Sequence, residues 1–471
     1  MRHPSSFALL LVGLPVACTR PSPAPSPPQP PTVTSFTLPE EPSPVASASA
    51  SAAPAAPQLD PDGDDDPSDT GSAPLPAALR FERIGRAPLA LQRICDLTPL
   101  GDALYASHAN QPLGTDGATI TRYRPDDDKH PFTVAFDWNR PGEPTKGGGG
   151  GQGFLRVHDI GGRLFVPDTD PPYAGFGLVD PATEGYVFVS DPSGAFASAR
   201  MPGHRPPLSP TPGPDGHPGA GVLPRAYHVI DVIRFRGRLY ASTGSVPPTE
   251  RAWRGASPGA LHVADDAWSR WTYETDYPFP WQSGVWRLTY LVRFRDRLYA
   301  GIQDYDGREP NDYVVFSPPV DTDAHVLAHE DAHAVRVTSR GAALTLRWYA
   351  DAGKLWWIAS DRGEGVVLRV TDDGARWTAV PLPASAGWPT DITRYRGAVV
   401  VLTERGLWRV DVDPPVELAS LDTSLKANLK PTATRFPVDD AFCAAPLAVF
   451  RGDLYAGDQR DGSLWRIAPP P

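Results

Sequence analysis

A nine-residue pattern recurs along this chain, and it constrains the fold more than any other feature of the sequence. It reads RFRGRLYAS at residues 234–242, RFRDRLYAG at 293–301 and VFRGDLYAG at 449–457. Looser copies can be aligned on a central Leu or Val. The seven aligned positions are 104, 164, 239, 298, 355, 400 and 454. Repeats at such spacings indicate an array of similar structural units.

Each copy has the pattern of a β-hairpin. In YLVRFRDRLYAGI, residues 290–302, aromatic and β-branched residues flank a charged tip, which predicts two strands and a tight turn over Arg295, Asp296 and Arg297. Most copies are followed by a third strand-like segment, and no long stretch shows the 3.6-residue period of a helix. The sequence therefore predicts an all-β propeller of seven four-stranded blades, with six or eight blades as alternatives.

The two ends of the repeat region are expected to meet in a closed ring. The last copy is followed by only one more strand, SLWRIA, so its blade lacks a fourth strand, which LRFERI at 79–84 can supply. Cys95 and Cys443 lie about ten residues before the central Leu of the first and last copies, at equivalent places in neighbouring blades. In an exported protein this predicts a Cys95–Cys443 disulfide, with two buried free thiols as the alternative.

The first 79 residues differ from the rest in composition. They contain 18 of the 57 prolines, and their eight acidic and two basic residues account for six of the eleven net negative charges. Such a segment cannot bury enough apolar surface to fold, so we expect a signal peptide at 1–17, a disordered tether at 18–78 and the propeller at 79–471. The remaining body is mildly acidic, which argues against a nucleic-acid partner.

The N-terminus has the pattern of an export signal. Arg2 and His3 precede an apolar run at 7–12 that is too short to span a bilayer. The run ends in LPVAC, residues 14–18, which resembles the lipobox of bacterial lipoproteins. The resemblance implies lipidation of Cys18 and a membrane-anchored protein in the periplasm or at the cell surface. An ordinary signal peptide with an incidental cysteine is the alternative.

A second resemblance concerns the outer strands. VTDDGARW at 370–377 resembles the Asp-box of sialidase-like and BNR-repeat propellers, with Asp372, Gly374 and Trp377 at matching positions. The resemblance implies that Asp372 caps a turn between two outer strands and that Trp377 packs between sheets. The motif is structural and implies no catalytic activity.

Candidate ligand-binding residues follow the second strand of each hairpin or enter the first. These loop ends share one face of a propeller, and charged groups beside aromatic side chains are typical of a site for a polar ligand such as a carbohydrate. The alternative is that loop ends are polar only because they contact water. The candidates are His108, Asp168, Asp170, His228, Trp286, Gln303, Asp304, Asp361, Arg362, Glu404, Arg405, Asp458 and Arg460.

Metal ligands are a weaker expectation, and no other cofactor is predicted. Asp304 and Asp306 in DYDG offer oxygen ligands for Ca²⁺. His329 and His333 in HEDAH suit a metal ion only if a helix places both imidazoles on one face. A solvated loop or an edge strand is the favoured interpretation of HEDAH.

The function that these features favour is binding of a glycan, peptide or protein partner on the loop ends. One alternative is a glycoside hydrolase or lyase with acidic residues in the central mouth, for which no catalytic residue can be assigned. Another is a structural scaffold. An enzyme predicts clustered carboxylates near the axis, a binding protein predicts an aromatic platform, and a scaffold predicts a closed channel with an apolar patch elsewhere.

Overall fold

The structure is a computed structural model that describes residues 74–470, apart from 88, 90–92, 110–117, 139–152, 170–183, 197–218, 225, 246–258, 265–267, 269–270, 277–284, 305–309, 320–324, 352, 362–364 and 422–441. The expected signal peptide, the lipidation site Cys18 and the tether up to residue 73 lie outside the described residues. No helix within the described ranges is long and apolar enough to cross a membrane.

The described chain consists of short strands joined by turns and two 3-10 helices, His329–Asp331 and Ala384–Ala386. The strands are β1 (Arg80–Arg86), β2 (Arg93–Leu100), β3 (Ala103–Ala109), β4 (Thr119–Tyr123), β5 (Phe132–Asp137), β6 (His158–Asp159), β7 (Leu164–Pro167), β8 (Glu184–Val189), β9 (Gly219–Pro224), β10 (Ala226–Phe235), β11 (Arg238–Ser245), β12 (Gly259–Ala264), β13 (Trp271–Asp276), β14 (Val285–Phe294), β15 (Arg297–Asp304), β16 (Tyr313–Phe316), β17 (Ala332–Val335), β18 (Leu344–Asp351), β19 (Lys354–Asp361), β20 (Gly365–Thr371), β21 (Thr378–Ala379), β22 (Pro389–Tyr395), β23 (Ala398–Thr403), β24 (Gly406–Arg409), β25 (Val416–Ser420), β26 (Leu447–Phe450), β27 (Asp453–Gly457) and β28 (Ser463–Ala468).

These strands form seven antiparallel sheets of four strands each, which are the blades of a seven-bladed β-propeller. Blades one to six are β2–β5, β6–β9, β10–β13, β14–β17, β18–β21 and β22–β25, and the seventh is β26, β27, β28 and β1. An apolar cluster lies between each pair of neighbouring blades. The cluster that joins the seventh blade to the first contains Ile94, Leu104, Phe450 and Tyr455. The predicted fold class is therefore confirmed.

The ring is closed by strand pairing and by a covalent bond. β1 pairs with β28 from Arg80 opposite Ala468 to Arg86 opposite Ser463, so the segment at 79–84 supplies the missing fourth strand as predicted. A disulfide with an S–S distance of 2.08 Å joins Cys95 in β2 to Cys443 before β26. This is the pairing that the sequence favours. Both closures connect parts of the chain that are far apart in sequence.

The repeated pattern forms the first hairpin of a blade. Arg236 and Gly237 at its tip have φ values of 48° and 72°, the left-handed pair that a type I′ turn requires. The Arg236 guanidinium lies 5.7 Å from the centroid of the preceding Phe235 ring, and its Nη1 donates a 2.8 Å hydrogen bond to Pro319 O in the next blade. The same two contacts are made by Arg295, Arg396 and Arg451. We call the side of the ring with these tips the turn face and the opposite side the loop face.

The alignment of the sixth copy is wrong by one residue. Val399, not Val400, is the central residue, because it pairs with Arg394 just as Leu239 pairs with Arg234 in the third blade. The turn in the fourth blade also differs slightly from the prediction, since Arg297 already belongs to β15 and only two residues form the tip.

The capping residue of the outer turn in the fifth blade is also one residue away from the expectation. Asp373 Oδ1 accepts hydrogen bonds from Ala375 N and Arg376 N at 2.9 and 2.8 Å. The side chain of Asp372, which the Asp-box resemblance implied as the cap, is 80% exposed. Trp377 packs between the fourth and fifth blades, where its Nε1 donates to Tyr313 Oη at 2.9 Å.

Candidate functional site

One position of the innermost strand, or of the segment leading into it, contributes to a polar cluster at the axis of the ring in the first six blades. This axial position lies eight residues before the central Leu or Val of each hairpin. In blade order it is occupied by Asp96, Arg156, Asp231, Tyr290, Arg347, Asp391 and Pro446. The axial residues are thus acidic, basic and acidic in the first three blades, and basic and acidic in the fifth and sixth.

The three axial aspartates join neighbouring blades through the backbone. The N–H groups of Val157, Leu291 and Leu447, each in the blade that follows, donate to these carboxylates at 3.1, 2.8 and 2.7 Å. In Asp231 and Asp391 the other carboxylate oxygen accepts the N–H of the next residue, at 3.0 and 2.8 Å. A buried carboxylate is stabilised by such bonds, so each aspartate acts as a fixed connector between strands.

The two axial arginines bridge these carboxylates. Arg156 Nη1 lies 3.2 Å from Asp96 Oδ1, and its Nε lies 3.6 Å from Asp231 Oδ1. Arg347 Nε lies 2.9 Å from Asp391 Oδ1, and its Nη1 reaches across the axis to Asp96 Oδ1 at 3.4 Å. The first, second, third, fifth and sixth blades are therefore tied together by one continuous network of ion pairs.

Tyr290 of the fourth blade completes the cluster. The guanidinium groups of Arg156 and Arg347 lie 5.5 and 6.0 Å from its ring centroid, which adds cation–π attraction. Its hydroxyl donates to Phe442 O, in the segment that leads into the seventh blade. Burial raises the pKa of the Tyr290 phenol well above its ordinary value, so the hydroxyl stays protonated and keeps this donor role.

Burial and neighbouring charges shift the pKa values of Asp231 and Asp391 in opposite directions. Burial opposes ionisation of Asp231, but the positive charges of His158 and Arg156 lower its pKa below the ordinary value. His158 Nε2 lies 2.6 Å from Asp231 Oδ1. For Asp391, burial is the main cause of a raised pKa, and the nearby charge of Asp96 adds to it. The hydrogen bonds from Leu447 N and Ile392 N and the charge of Arg156 only partly oppose this rise.

This arrangement holds strands together rather than presenting a free acid or base. The three aspartates cluster near the axis, as the enzyme alternative requires, but they are only 1–7% exposed and their oxygens are already occupied. A general acid or base must lie within hydrogen-bonding distance of the substrate. The side chains of Arg156 and His158, at 16% and 19% exposure, are the parts of the cluster that water reaches most easily.

Six of the nine predicted ligand-binding residues whose side chains are described are buried at the ends of strands. The strands of the first hairpins run further toward the loop face than the sequence suggested, so these residues make internal contacts. The residues of the set that are less than 9% exposed are His108, Asp168, His228, Gln303, Asp361 and Asp458. As examples, Asp361 is paired with Arg369, and His228 Nδ1 lies 3.2 Å from Thr169 O.

Three of the predicted residues remain accessible on the loop face. Arg405 and Arg460 are exposed, and Glu404 is half-buried, with its Oε2 accepting a hydrogen bond from Trp388 N at 3.1 Å. Asp170, Arg362 and Asp306 lie outside the described residues, as do the side chains of Trp286, Asp304 and His329. Ligand binding by this set stays a prediction.

The HEDAH segment does not form the helix that a two-histidine site needs. Residues 329–331 form a single 3-10 turn, and His333 lies in strand β17, so the two residues do not belong to one helix. His325 Nε2 instead lies 2.6 Å from Asp331 Oδ2, which also accepts from Ala328 N at 2.7 Å. Among the described residues no group of three or more His, Cys, Asp or Glu is placed to hold a metal ion.

A buried histidine should make this protein sensitive to acid. Burial lowers the pKa of His108 to about 4, whereas an unfolded chain protonates near 6.5. Stability should therefore fall as the pH drops from 6.5 to 4, by up to about 3 kcal/mol from this residue. Urea unfolding of wild type and His108→Gln across this range measures the effect. The His108→Gln profile should be flatter, whereas the exposed-site control His130→Gln should retain the wild-type slope; equal slopes in all three proteins would contradict the prediction.

Comparisons with known proteins reach only distant likenesses. No protein-family model matches the chain, and no curated protein matches its sequence. One similar solved structure is the extracellular domain of the putative one component system BT4673 from B. thetaiotaomicron, with a TM-score of 0.43, 10% identity and coverage of 82% of this chain and 39% of that one. Another is the WD40 beta propeller domain of Doa1, with a TM-score of 0.43, 9% identity and coverage of 83% and 97%. This chain thus matches well under half of the length of the first structure. Likenesses at this level say nothing about ligand or activity.

Sequence reasoning missed the axial cluster. Its signal was present, because the cluster falls on one column of the repeat alignment. The column combines residues of opposite charge, and the one-residue error at Val400 moved Asp391 out of it. An alignment position that is aspartate in some repeats and arginine in others predicts ion pairs only if these repeats are known to face one another across a closed ring.

Proposed function

We propose that this protein is an exported, lipid-anchored propeller that binds a glycan or protein partner on its loop face. The observation that carries the proposal is the convergence of connections on that face. In every blade the second strand ends where the first begins, as Arg93 opposite Ala109 and Pro389 opposite Thr403 show. The ring beneath is fixed by the axial ion pairs, and a rigid scaffold with converging loops is the usual arrangement of a binding surface.

The composition of the connecting segments supports the same choice. The stretches that follow or precede these strand ends contain Tyr173, Trp253, Tyr277 and Trp281 together with charged and amide residues. Aromatic rings with a polar rim are the side chains that bind sugars and that dominate protein interfaces. These four residues lie outside the described part of the chain, so their contribution is a matter for experiment.

Export is supported by the chemistry of the ring closure. A disulfide persists in the oxidising compartments outside the cytosol, and this fold contains one between Cys95 and Cys443. Together with the apolar N-terminal run and the lipobox-like LPVAC, it favours a lipidated Cys18 and display of the propeller beyond the membrane. Mass spectrometry of the membrane fraction tests this directly, because lipidation predicts a mature chain that begins at a diacylated Cys18.

Binding on the loop face can be tested with two arginines at opposite ends of one strand. Arg405 lies at the loop-face end of β24 (Gly406–Arg409) and Arg409 at its turn-face end. We expect one of a panel of soluble glycans and cell-wall fragments to raise the melting temperature, since a ligand at 100 times its Kd adds about 2.7 kcal/mol. Arg405→Ala should reduce this shift, and the matched control Arg409→Ala should retain it.

The opposite outcomes would count against the proposal. A shift that is lost only in Arg409→Ala would place the ligand on the turn face. If no member of the panel raised the melting temperature, a glycan ligand would be excluded. A protein partner or a scaffold role would then remain.

A further inference from the structure

A buried arginine in the third blade lacks the partner that such a group needs. Arg234 in β10 is 7% exposed, and its Nη2 is buried without a hydrogen-bond acceptor. The other described arginines that are less than 9% exposed make polar contacts, and Arg347 for example bridges Asp391 and Asp96. An unpaired charge in such a position is strongly unfavourable.

The equivalent arginine of the sixth blade shows what is missing. Arg394 Nε donates to Asp351 Oδ2 in the preceding blade at 2.8 Å, and its Nη1 donates to Gly397 O at 2.8 Å. Asp351 lies four residues before the central Leu355. In the second blade the corresponding residue, four before Leu164, is the buried Ile160. The carboxylate that satisfies Arg394 thus has an apolar side chain in its place beside Arg234.

The pairing register places the Arg234 side chain at the boundary between the second and third blades. Arg234 stands opposite Leu239, and residues directly opposite each other in a sheet lie on the same side of it. Leu239 and Ile160 belong to the one apolar cluster between these two blades. Asp159 supplies a carboxylate in the first hairpin of the second blade. Its Oδ1 accepts a hydrogen bond from Gly162 N, at the tip of the same hairpin, at 2.9 Å.

The surrounding turn face is positively charged in an otherwise acidic protein. The hairpin 234–238 contains three arginines and no acidic residue, and the next hairpin, 293–297, contains three arginines and one aspartate. Arg295 and Arg297 are exposed, whereas Arg236 and Arg238 are half-buried. Clustered cations raise the local concentration of anions, and guanidinium groups bind phosphate and carboxylate through paired hydrogen bonds.

We propose that Arg234 binds an oxyanion group, a phosphate or a carboxylate, of a ligand on the turn face at the junction of the second and third blades. The anion supplies Arg234 with the kind of partner that Arg394 obtains from the Asp351 carboxylate. The arginines of the two neighbouring hairpins attract it, and the site lies on the opposite face from the loop-face site.

Thermal unfolding of the purified protein tests this site. The probes are inorganic phosphate and glucuronate, each compared with chloride at equal ionic strength. One of them should produce a saturable rise of the melting temperature, about 3–6 °C at 100 times its Kd. Arg234→Met should abolish the rise and should leave the melting temperature in chloride unchanged or higher, because it removes an uncompensated buried charge.

Arg394→Met is the matched control. It breaks a satisfied ion pair, so it should lower the melting temperature in chloride and retain the response to the anion. A rise with phosphate alone or with glucuronate alone supports the proposal and assigns the group. An equal rise in wild type and Arg234→Met would reflect general salt exclusion and would overturn it. No rise with either probe, or a loss of stability in Arg234→Met as large as in Arg394→Met, would overturn it as well.

Discussion

Replacing Arg347 with methionine should destabilise the protein by about 3–5 kcal/mol, because it leaves the buried carboxyl group of Asp391 without its ion-pair partner. Arg347 contacts Asp391 at 2.9 Å and Asp96 at 3.4 Å, and its side chain is 7% exposed. Urea unfolding at pH 7 measures the loss. Because burial already raises the pKa of Asp391, the uncompensated carboxyl should take up a proton more readily in the variant, and the loss should be smaller at pH 5 than at pH 8.

The chain offers a matched control for this experiment. Arg466 and Glu82 form an ion pair of 2.8 Å, but their side chains are 37% and 40% exposed. Arg466→Met should therefore cost less than about 1 kcal/mol. A second variant separates charge from packing: adding Asp391→Asn to Arg347→Met should recover part of the stability. Equal losses at the two arginines, or no recovery in the double variant, would contradict the prediction. Either result would mean that the axial side chains stabilise the protein by packing and not by their ion pairs.

Removing the disulfide with Cys95→Ala and Cys443→Ala should cost about 2–5 kcal/mol. The bond joins residues separated by 348 positions, so it restricts the unfolded chain over nearly the whole propeller. We expect the ring to open more easily, because β2 of the first blade would then be held to the seventh blade by packing and by hydrogen bonds such as Ile94 N to Asp458 O and Gln459 Nε2 to Ile94 O.

The measurement compares oxidised and fully reduced protein, with the alanine variant as control. Reduction should lower the unfolding midpoint of wild type to that of the variant, and it should leave the variant unchanged. Wild type that keeps its midpoint after complete reduction would show that the bond has no role in stability.

The sequence predicts those parts of this fold that repeat locally. The hairpin, its Arg-Gly tip and the outer strands each depend on residues a few positions apart, and the pattern around Arg236 contains all of them. The closing strand β1 could be predicted for a different reason, since a three-stranded last blade leaves an edge that must be paired. The Cys95–Cys443 pairing follows from the same ring argument.

The candidate site could not be predicted in the same way. The contact between Asp96 and Arg347 joins residues 251 positions apart, and it exists only because opposite blades meet at the axis. The burial of His108 and Asp361 was missed for a simpler reason. Strands β3 and β19 continue for one or two residues beyond the apolar stretch, and polar residues there make contacts inside the sheet, as His108 Nε2 does with Thr121 Oγ1 at 2.7 Å.

The position of β1 also determines where a mechanical load enters this molecule. β1 is the outermost strand of the seventh blade, so any tension on the chain before Arg80 is applied to the rim of the ring. Among the described strands only β28 pairs with it, and the adjacent segment is held by the hydrogen bond from Leu79 N to Leu418 O of the sixth blade. If β1 were peeled away, the first and seventh blades would still be held by the covalent bond at Cys95. The propeller is thus built to stay closed while it is pulled from its N-terminal side.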